Sequence, residues 1–238
     1  MKLIRNIHLW LALPFCLVFM TICTTGALLI VERPVTEFFY PGYYDEPAAA
    51  SATPAKEATG AKEAKHAQPK KIPFFANTLK LHRWLLDAPA KKGERTVGKT
   101  IVGVSVIMFV IDLLTGLVLW WPRTRKMLRA RLKVTAKFGK RRFYYDAHVS
   151  LGFWVLVLLL IIALTGLTWS FPVWKDAVYA MLQTIVGEEN VKKTVFALHT
   201  GTWAGAWSQV LYFACCIIGA TLPATGIYMW WKKRQAKK

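Results

Sequence analysis

Cysteines and acidic residues are scarce in this sequence, and each shortage excludes a class of protein. Four cysteines stand among 238 residues, none of them in a Cys-x-x-Cys-His arrangement, which excludes covalent attachment of a c-type haem. All four lie in apolar runs, where we expect small packing residues (Cys16, Cys23, Cys215 and Cys216). No Gly-x-Gly-x-x-Gly is present, so we do not expect the chain to oxidise a nicotinamide cofactor itself.

The acidic residues number 13 against 32 lysines and arginines, and the positive charge is unevenly placed. Ten basic residues and no acidic one lie in 122–142, and five more basic residues follow Trp231. Positive charge beside apolar segments marks the cytoplasmic side of a membrane, where anionic lipid is a sufficient partner for it. We therefore expect both termini and the loop 123–145 in the cytoplasm, and no nucleic-acid partner.

The sequence is rich in long apolar runs. A bilayer core of about 30 Å needs about 20 apolar residues in a helix. Four stretches qualify, at about 9–31, 99–121, 149–171 and 208–231. The first is too long for a signal peptide and offers no small-residue cleavage site, so we expect it to be retained. These runs predict an all-α, multi-pass membrane protein with a bundle of four transmembrane helices.

The chain repeats one helical hairpin in the same orientation. Thr-Gly followed by Trp-Trp ends the second and fourth helices in the same register, at 115–121 and 225–231. His8 lies 17 residues before Thr25, as His148 lies 17 before Thr165. This spacing predicts two parallel repeats about an axis along the membrane normal.

The repeat sets the predicted organisation of the chain. The first hairpin occupies 1–122, with helices near 8–31 and 99–121; the second occupies 146–231, with helices near 147–171 and 200–231; a basic loop, 123–145, joins them and a basic tail, 232–238, follows.

The segments between the helices are predicted from composition. Residues 45–71, which include His66, have no aromatic side chain and predict a disordered periplasmic linker. Asn77 or Thr78 is expected to cap a short helix that the turn residues of 87–93 break. Residues 173–198 predict a short amphipathic helix that ends at Gly187.

Four of the five histidines occupy positions that the repeat relates. His8 and His148 begin helices that run outward, and His82 and His199 precede helices that run inward. The repeat axis therefore predicts two facing pairs, one near each face of the membrane. Two neutral imidazoles on opposite sides of a metal are the axial ligands of a low-spin b-type haem, a group suited to electron transfer. The pattern predicts two such haems, ligated by His8 with His148 and by His82 with His199.

Glycines are expected to make room for flat macrocycles and to let the helices approach closely. Those that follow the threonines are Gly26, Gly116, Gly166 and Gly226, and further ones are Gly103, Gly152 and Gly219.

The histidines also have a plainer interpretation, because a histidine beside tryptophan at a helix end is commonly interfacial. His82 adds a difficulty, since it lies 34 residues before Gly116 whereas His199 lies 27 before Gly226. One straight helix over 82–116 would set His82 about 10 Å too high. A loop at 87–93 would bring it level with His199.

Two carboxylates near the helices need an assignment. Asp112 lies inside the second helix, where an ionisable residue is a candidate functional group or is simply protonated or hydrogen-bonded. Asp146 is close to His148 in sequence, but on a helix it is expected to face elsewhere.

Several motifs together resemble the PepSY-associated transmembrane helix family, found among inner-membrane proteins of iron and siderophore uptake. They are Leu81-His82-Arg83-Trp84, Leu114-Thr115-Gly116-Leu117, Asp146-Ala147-His148, Leu151-Gly152-Phe153-Trp154 and Leu198-His199-Thr200-Gly201. The resemblance implies a dihaem reductase of the bacterial inner membrane that carries electrons outward to a ferric siderophore or another periplasmic acceptor. It also implies an electron donor, either quinol or a cytosolic reductase. The large periplasmic PepSY domains of that family are missing or reduced to loops.

Two other functions remain open from the sequence. The protein could be a non-catalytic membrane partner or scaffold of an iron-uptake system, with histidines that only anchor helix ends. It could also be a small transporter that uses Asp112, although the broken helices typical of transporter sites are not evident.

Overall fold

The computed structural model describes residues 2–44, 72–91 and 94–235, and all regular secondary structure within them is helical. The α-helices are α1 Lys2–Ile30, α2 Glu32–Phe39, α3 Pro73–Trp84, α4 Val97–Trp120, α5 Arg125–Arg131, α6 Lys140–Leu167, α7 Pro172–Val186, α8 Glu188–Thr200 and α9 Ala206–Gln235. A short 3₁₀ helix, Thr202–Ala204, precedes α9. The predicted linker 45–71, with His66, lies outside the described residues.

Four helices, α1, α4, α6 and α9, are long and apolar enough to cross a membrane, which confirms the predicted all-α membrane fold. Three of them extend further than the apolar pattern predicts. The first begins at Lys2 instead of near His8, and the third begins at Lys140 instead of near Ala147. The fourth begins at Ala206, later than the predicted 200, and continues to Gln235. All three extensions contain lysine and arginine, which are good helix formers whose charged ends reach past the apolar layer to water.

The four spanning helices form a ring. The first, α1, packs against α4 and α9, and α6 packs against the same two helices, so α1 and α6 lie on a diagonal. Each predicted hairpin therefore packs on itself and on the other hairpin. A buried cluster fills the middle of the bundle (Leu113, Val155, Leu159 and Cys215). The four cysteines are free, and three of them are buried, as expected for packing residues.

The bundle has two ends, which we name by what they contain. At the terminal face, the amino ends of α1 and α6 meet the carboxyl ends of α4 and α9. The loop face carries the opposite ends, together with α2, α3, α7 and α8.

The terminal face includes a helix that the sequence pattern does not predict, α5, within the basic loop. Its Arg131 donates hydrogen bonds to the carbonyls of Leu119 and Trp120, at the carboxyl end of α4. A guanidinium at this end of a helix satisfies free carbonyls and complements the helix dipole. Part of the basic loop is thus fixed to the bundle.

At the loop face, α3 begins earlier than the sequence predicts. The helix begins at Pro73, with Ile72 as its N-cap, so the prediction that Asn77 or Thr78 caps it is wrong. Proline suits the first helical position because it has no N–H that needs a partner there. Thr78 lies inside the helix instead, where its hydroxyl donates to the carbonyl of Phe74.

A chain reversal separates α3 from α4, so 82–116 is not one helix. Leu85 and Leu86, with φ of 50° and 71°, end α3 in left-handed conformations. Asp87 then accepts a hydrogen bond from the backbone N–H of Gly98 at 2.8 Å. Because α3 and α4 are separate helices, His82 is not set about 10 Å too high, as it would be on one straight helix.

Two further short helices differ from the prediction. The first span ends at Ile30, close to the predicted stop, but α2 begins at once with Glu32. The predicted amphipathic helix ends before Gly187 as expected, and a second helix, α8, follows it.

Gly98→Ala should destabilise the reversal between α3 and α4. A Cβ at this position would lie 1.8 Å from the carbonyl oxygen of Trp84, a backbone atom that cannot move aside cheaply. We expect a loss of about 1–3 kcal/mol, as for other overpacked sites, and thermal unfolding in detergent measures it. Gly152→Ala is the matched control, since its Cβ would meet only Leu222, at 3.6 Å. Equal melting temperatures for the two variants would contradict this account of the reversal.

Candidate functional site

The structure brings the four repeat-related histidines together as two facing pairs. At the terminal face, His8 of α1 and His148 of α6 have ring centroids 6.4 Å apart and planes 82° apart. At the loop face, His82 of α3 and His199 of α8 have centroids 6.3 Å apart and planes 55° apart. We call these the terminal pair and the loop pair. Each pair takes one histidine from each repeat.

In the terminal pair, both Nδ1 atoms are held by the helix that ends beside them. Nδ1 of His8 lies 3.1 Å from the carbonyl oxygen of Asp112 and 3.0 Å from the hydroxyl of Thr115. Nδ1 of His148 lies 2.9 Å from the hydroxyl of Thr225, and its ring also bonds the backbone of Leu222.

The loop pair repeats this arrangement. Nδ1 of His82 lies 2.9 Å from the hydroxyl of Thr25 and 3.1 Å from the carbonyl of Ile22. Nδ1 of His199 lies 2.9 Å from the carbonyl of Ile162 and 3.3 Å from the hydroxyl of Thr165. All four histidines therefore use one pattern, a threonine hydroxyl with the carbonyl three residues before it.

These contacts fix the tautomer of each imidazole. A carbonyl oxygen can only accept a hydrogen bond, so Nδ1 must carry the proton. The threonine hydroxyls accept as well, because they donate to their own helices, as Thr25 does to the carbonyl of Thr21 at 2.6 Å. A neutral imidazole protonated at Nδ1 keeps its lone pair on Nε2. Metal-ligating histidines have this form, with the other ring N–H donated to a carbonyl or carboxylate.

The glycine that follows each threonine lies against the edge of the imidazole. A Cβ at Gly116 would lie 3.5 Å from Cε1 of His8, and one at Gly226 would lie 3.6 Å from Cε1 of His148. For the loop pair the distances are 3.4 Å at Gly26 and 3.0 Å at Gly166. The sequence pattern assigns these glycines to macrocycle space and helix packing. In the structure they pack against the imidazoles, and only at Gly166, where the distance is 3.0 Å, would a Cβ force a neighbour to shift.

The loop pair lies outside the spanning helices and is held neutral. Burial, with a smaller contribution from the neighbouring His199, lowers the pKa of His82 to about 4. Burial also lowers the pKa of His199 to about 4, with a smaller lowering by Arg83. Both rings are consequently uncharged at pH 7, the state in which imidazole ligates metals.

A large cavity of about 1050 Å³ surrounds the terminal pair. One apolar wall is formed by the indole of Trp120 stacked on Phe153, with ring centroids 3.7 Å apart. Six cationic residues also line the cavity (Arg5, Arg131, Arg141, Arg142, Lys233 and Arg234). The cavity can therefore accept a large apolar group that carries negative charge at one edge.

The two carboxylates occupy different environments. Asp112 lines the cavity, with Oδ1 3.7 Å from Nδ1 of His8, and this oxygen is buried without a hydrogen-bond partner among the described residues. Asp146 is 3% exposed and pairs with Arg142 at 2.8 Å, which agrees with the prediction that it faces away from His148.

Across the described ranges, no group of three or more His, Cys, Asp or Glu side chains is placed to hold a metal ion. A metal at either pair would therefore have two protein ligands, and its other ligands must come from a non-protein group.

The sequence also matches a known protein family. A model of the family described as PepSY-associated TM region matches residues 5–187 and 183–233. The chain belongs to this family. The resemblance seen in the motifs is thereby confirmed, and the PepSY-associated match spans all four paired histidines. No curated protein matches the chain.

Proposed function

We propose that this PepSY-associated membrane protein is a dihaem b-type cytochrome that transfers electrons across the bilayer to a ferric chelate. The observation that carries the proposal is the presence of two facing imidazole pairs with Nδ1 occupied and Nε2 available. With this function the protein would be an oxidoreductase of the ferric reductase type.

The spacing of each pair fits one metal ion. Two imidazoles that ligate a metal from opposite sides, at about 2 Å, have ring centroids about 6.3 Å apart. The observed separations are 6.4 and 6.3 Å. His8 and His148 would hold one haem, and His82 and His199 the other. When bound, b-type haem would supply reversible one-electron transfer, and ligation by two histidines would leave no position for oxygen.

The terminal cavity supplies the remaining features of a haem site. Apolar side chains that line the cavity, such as Phe153, would exclude water from a bound haem, which would strengthen the influence of nearby charges. The cationic residues at the cavity, such as Arg5 and Lys233, suit the carboxylates that haem carries.

The two pairs lie at opposite ends of the bundle. His8 and Gly26 are 18 residues apart on α1, about 27 Å along the helix, and Gly26 contacts His82. Aromatic rings occupy the space between, with Phe19 and Phe109 5.1 Å apart. The chain thus provides one redox site near each face of a bilayer about 30 Å thick.

The direction of transfer follows from charge. The basic residues of 123–142 and of 232–234 belong to the terminal face, and the positive-inside rule favours the cytoplasmic side for that face, in a membrane that we propose to be a bacterial inner membrane. Quinol or a cytosolic reductase would be the donor there, and a ferric siderophore or another ferric chelate would be the acceptor at the loop face.

Transfer across a sealed membrane tests this function. Liposomes that contain the protein and trapped ferricyanide should reduce the ferricyanide when dithionite is added outside. His148→Ala and His199→Ala should each abolish this reduction, since each removes one of two sites in series. Unimpaired reduction with either variant would contradict transfer through both pairs.

A further inference from the structure

Two short helices at the loop face, α2 and α7, occupy matching places in the repeat. In the first half of the chain, the span α1 is followed by α2 and then by α3, which carries His82. In the second half, the span α6 is followed by α7 and then by α8, which carries His199. Neither α2 nor α7 contributes a histidine to the two pairs. Their repetition therefore needs an explanation outside the candidate site.

Helix α2 has an apolar face that is exposed on the protein. Val35, Phe38 and Phe39 follow the spacing i, i+3, i+4, which places them on one side of the helix. All three are exposed, and Phe38 and Phe39 are 78% and 69% exposed. The opposite side carries the ion pair between Arg33 and Glu37, with 2.8 Å between the charged atoms. The helix thus separates its apolar side chains from its charged ones.

Helix α7 has the same character over a greater length. Val173, Met181 and Ile185 are spaced eight and four residues apart, so they lie along one side of the helix. They are exposed, although α7 packs against α8, so this side is not part of that contact. Asp176 and Gln183 are exposed on another side. Both short helices therefore present an apolar face that no described part of the chain covers.

The positions of α2 and α7 indicate what covers these faces. The span α1 ends at Ile30 and α2 begins at Glu32; the span α6 ends at Leu167 and α7 begins at Pro172. The spans themselves expose apolar side chains that face lipid, such as Leu17 on α1 and Val157 on α6. A helix that begins where a span ends lies at the boundary between the apolar layer and water. The apolar faces of α2 and α7 are thus continuous with the lipid-facing surface of the bundle.

Exposed aromatic side chains mark the same boundary. Tyr40 follows α2 directly, and Trp203 and Trp207 lie at the start of α9; all three are exposed at the loop face. Tyrosine and tryptophan are enriched where a bilayer meets water, because one end of each side chain is apolar and the other is polar. The loop face consequently has the composition of a membrane interface beyond α2 and α7 alone.

We propose that α2 and α7 lie in the plane of the membrane interface at the loop face, each with its apolar face against lipid. A helix with one apolar side and polar side chains on the other is stable in that position, with the apolar side chains among the first acyl carbons. The partner of this surface is the bilayer itself, and the repeat supplies one such anchor to each hairpin. Because α7 ends at Val186 and α8 begins at Glu188, the second anchor also holds the helix that carries His199 at a fixed depth.

Photo-crosslinking of the protein in phospholipid nanodiscs tests this surface. A single p-benzoylphenylalanine replaces Phe39 or Met181 on the apolar faces, or Glu37 or Gln183 on the polar faces as matched controls. Light-excited benzophenone reacts with nearby C–H groups but not with water. Phe39→p-benzoylphenylalanine and Met181→p-benzoylphenylalanine should each give at least about tenfold more lipid adduct than the control on the same helix, because only the apolar face is inserted. Intact-mass spectrometry identifies the adduct by the added mass of one lipid.

Three results would overturn the anchoring of α2 and α7 in the interface. Equal yields from the two faces of a helix would show that it has no fixed orientation to the bilayer. The absence of lipid adducts at the apolar positions would place the helices in water. Adducts of twice the chain mass in place of lipid adducts would show that a second copy covers these faces. If a variant loses its helical circular dichroism, Phe38 or Ile185 takes the label on the same face. None of these results depends on haem, so the inference and the proposed function stand or fall separately.

Discussion

His148→Ala should reduce the haem content of the protein from two per chain to one. The substitution removes one of the two proposed haem ligands at the terminal face, and no other described histidine is near enough to replace it. The loop pair, held by Thr25 and Thr165, is untouched by this change. Haem extraction together with protein quantification measures the ratio, and His82→Ala should produce the same ratio by loss of the other haem.

His66→Ala is the control for these variants, because His66 has no counterpart in the repeat and lies outside the described residues. It should retain two haems. If His148→Ala left absorbance and haem content unchanged in folded protein, the histidines would be helix anchors, as a scaffold function predicts.

Thr225→Val should weaken haem binding at the terminal face by about 10–100-fold, the usual effect of losing a partner of a metal-ligating histidine. Valine keeps the shape of threonine but cannot accept a hydrogen bond from the Nδ1–H group of His148. The carbonyl of Leu222 remains as the other partner, so the loss should be partial. Haem titration of the apoprotein, followed by absorbance, measures the change.

Two variants show whether the hydroxyl itself is responsible. Thr225→Ser should restore most of the affinity, since serine retains the acceptor. Thr221→Val alters an exposed threonine one turn earlier on α9, whose hydroxyl bonds only the carbonyl of Ile218, and it should leave affinity unchanged. Equal losses for Thr221→Val and Thr225→Val would contradict a specific role for Thr225.

Much of the bundle could be predicted from the sequence because membrane length and the repeat are both encoded in one dimension. Apolar runs define the four spanning helices, and equal spacing from His8 to Thr25 and from His148 to Thr165 indicates the pairing of histidines. Composition also indicates a break near Asp87, which the structure shows as the reversal between α3 and α4.

The structural details that the sequence does not predict depend on contacts between residues far apart in the chain. His8 bonds Thr115 across 107 positions of sequence, and this contact is set by the rotation of α1 against α4. The four Thr-Gly dipeptides stand out in the sequence, but the sequence does not show that each of them contacts an imidazole ring. Helix α8 is polar overall and is stabilised by burial of Val191 and Val195, which propensity alone does not reveal.

The most direct test of the account is the dithionite-reduced minus oxidised absorbance spectrum of the purified protein, with haem-to-protein stoichiometry from the same sample. The account predicts b-type haem bands and two haems per chain. A folded protein with no Soret band and no extractable haem would contradict it.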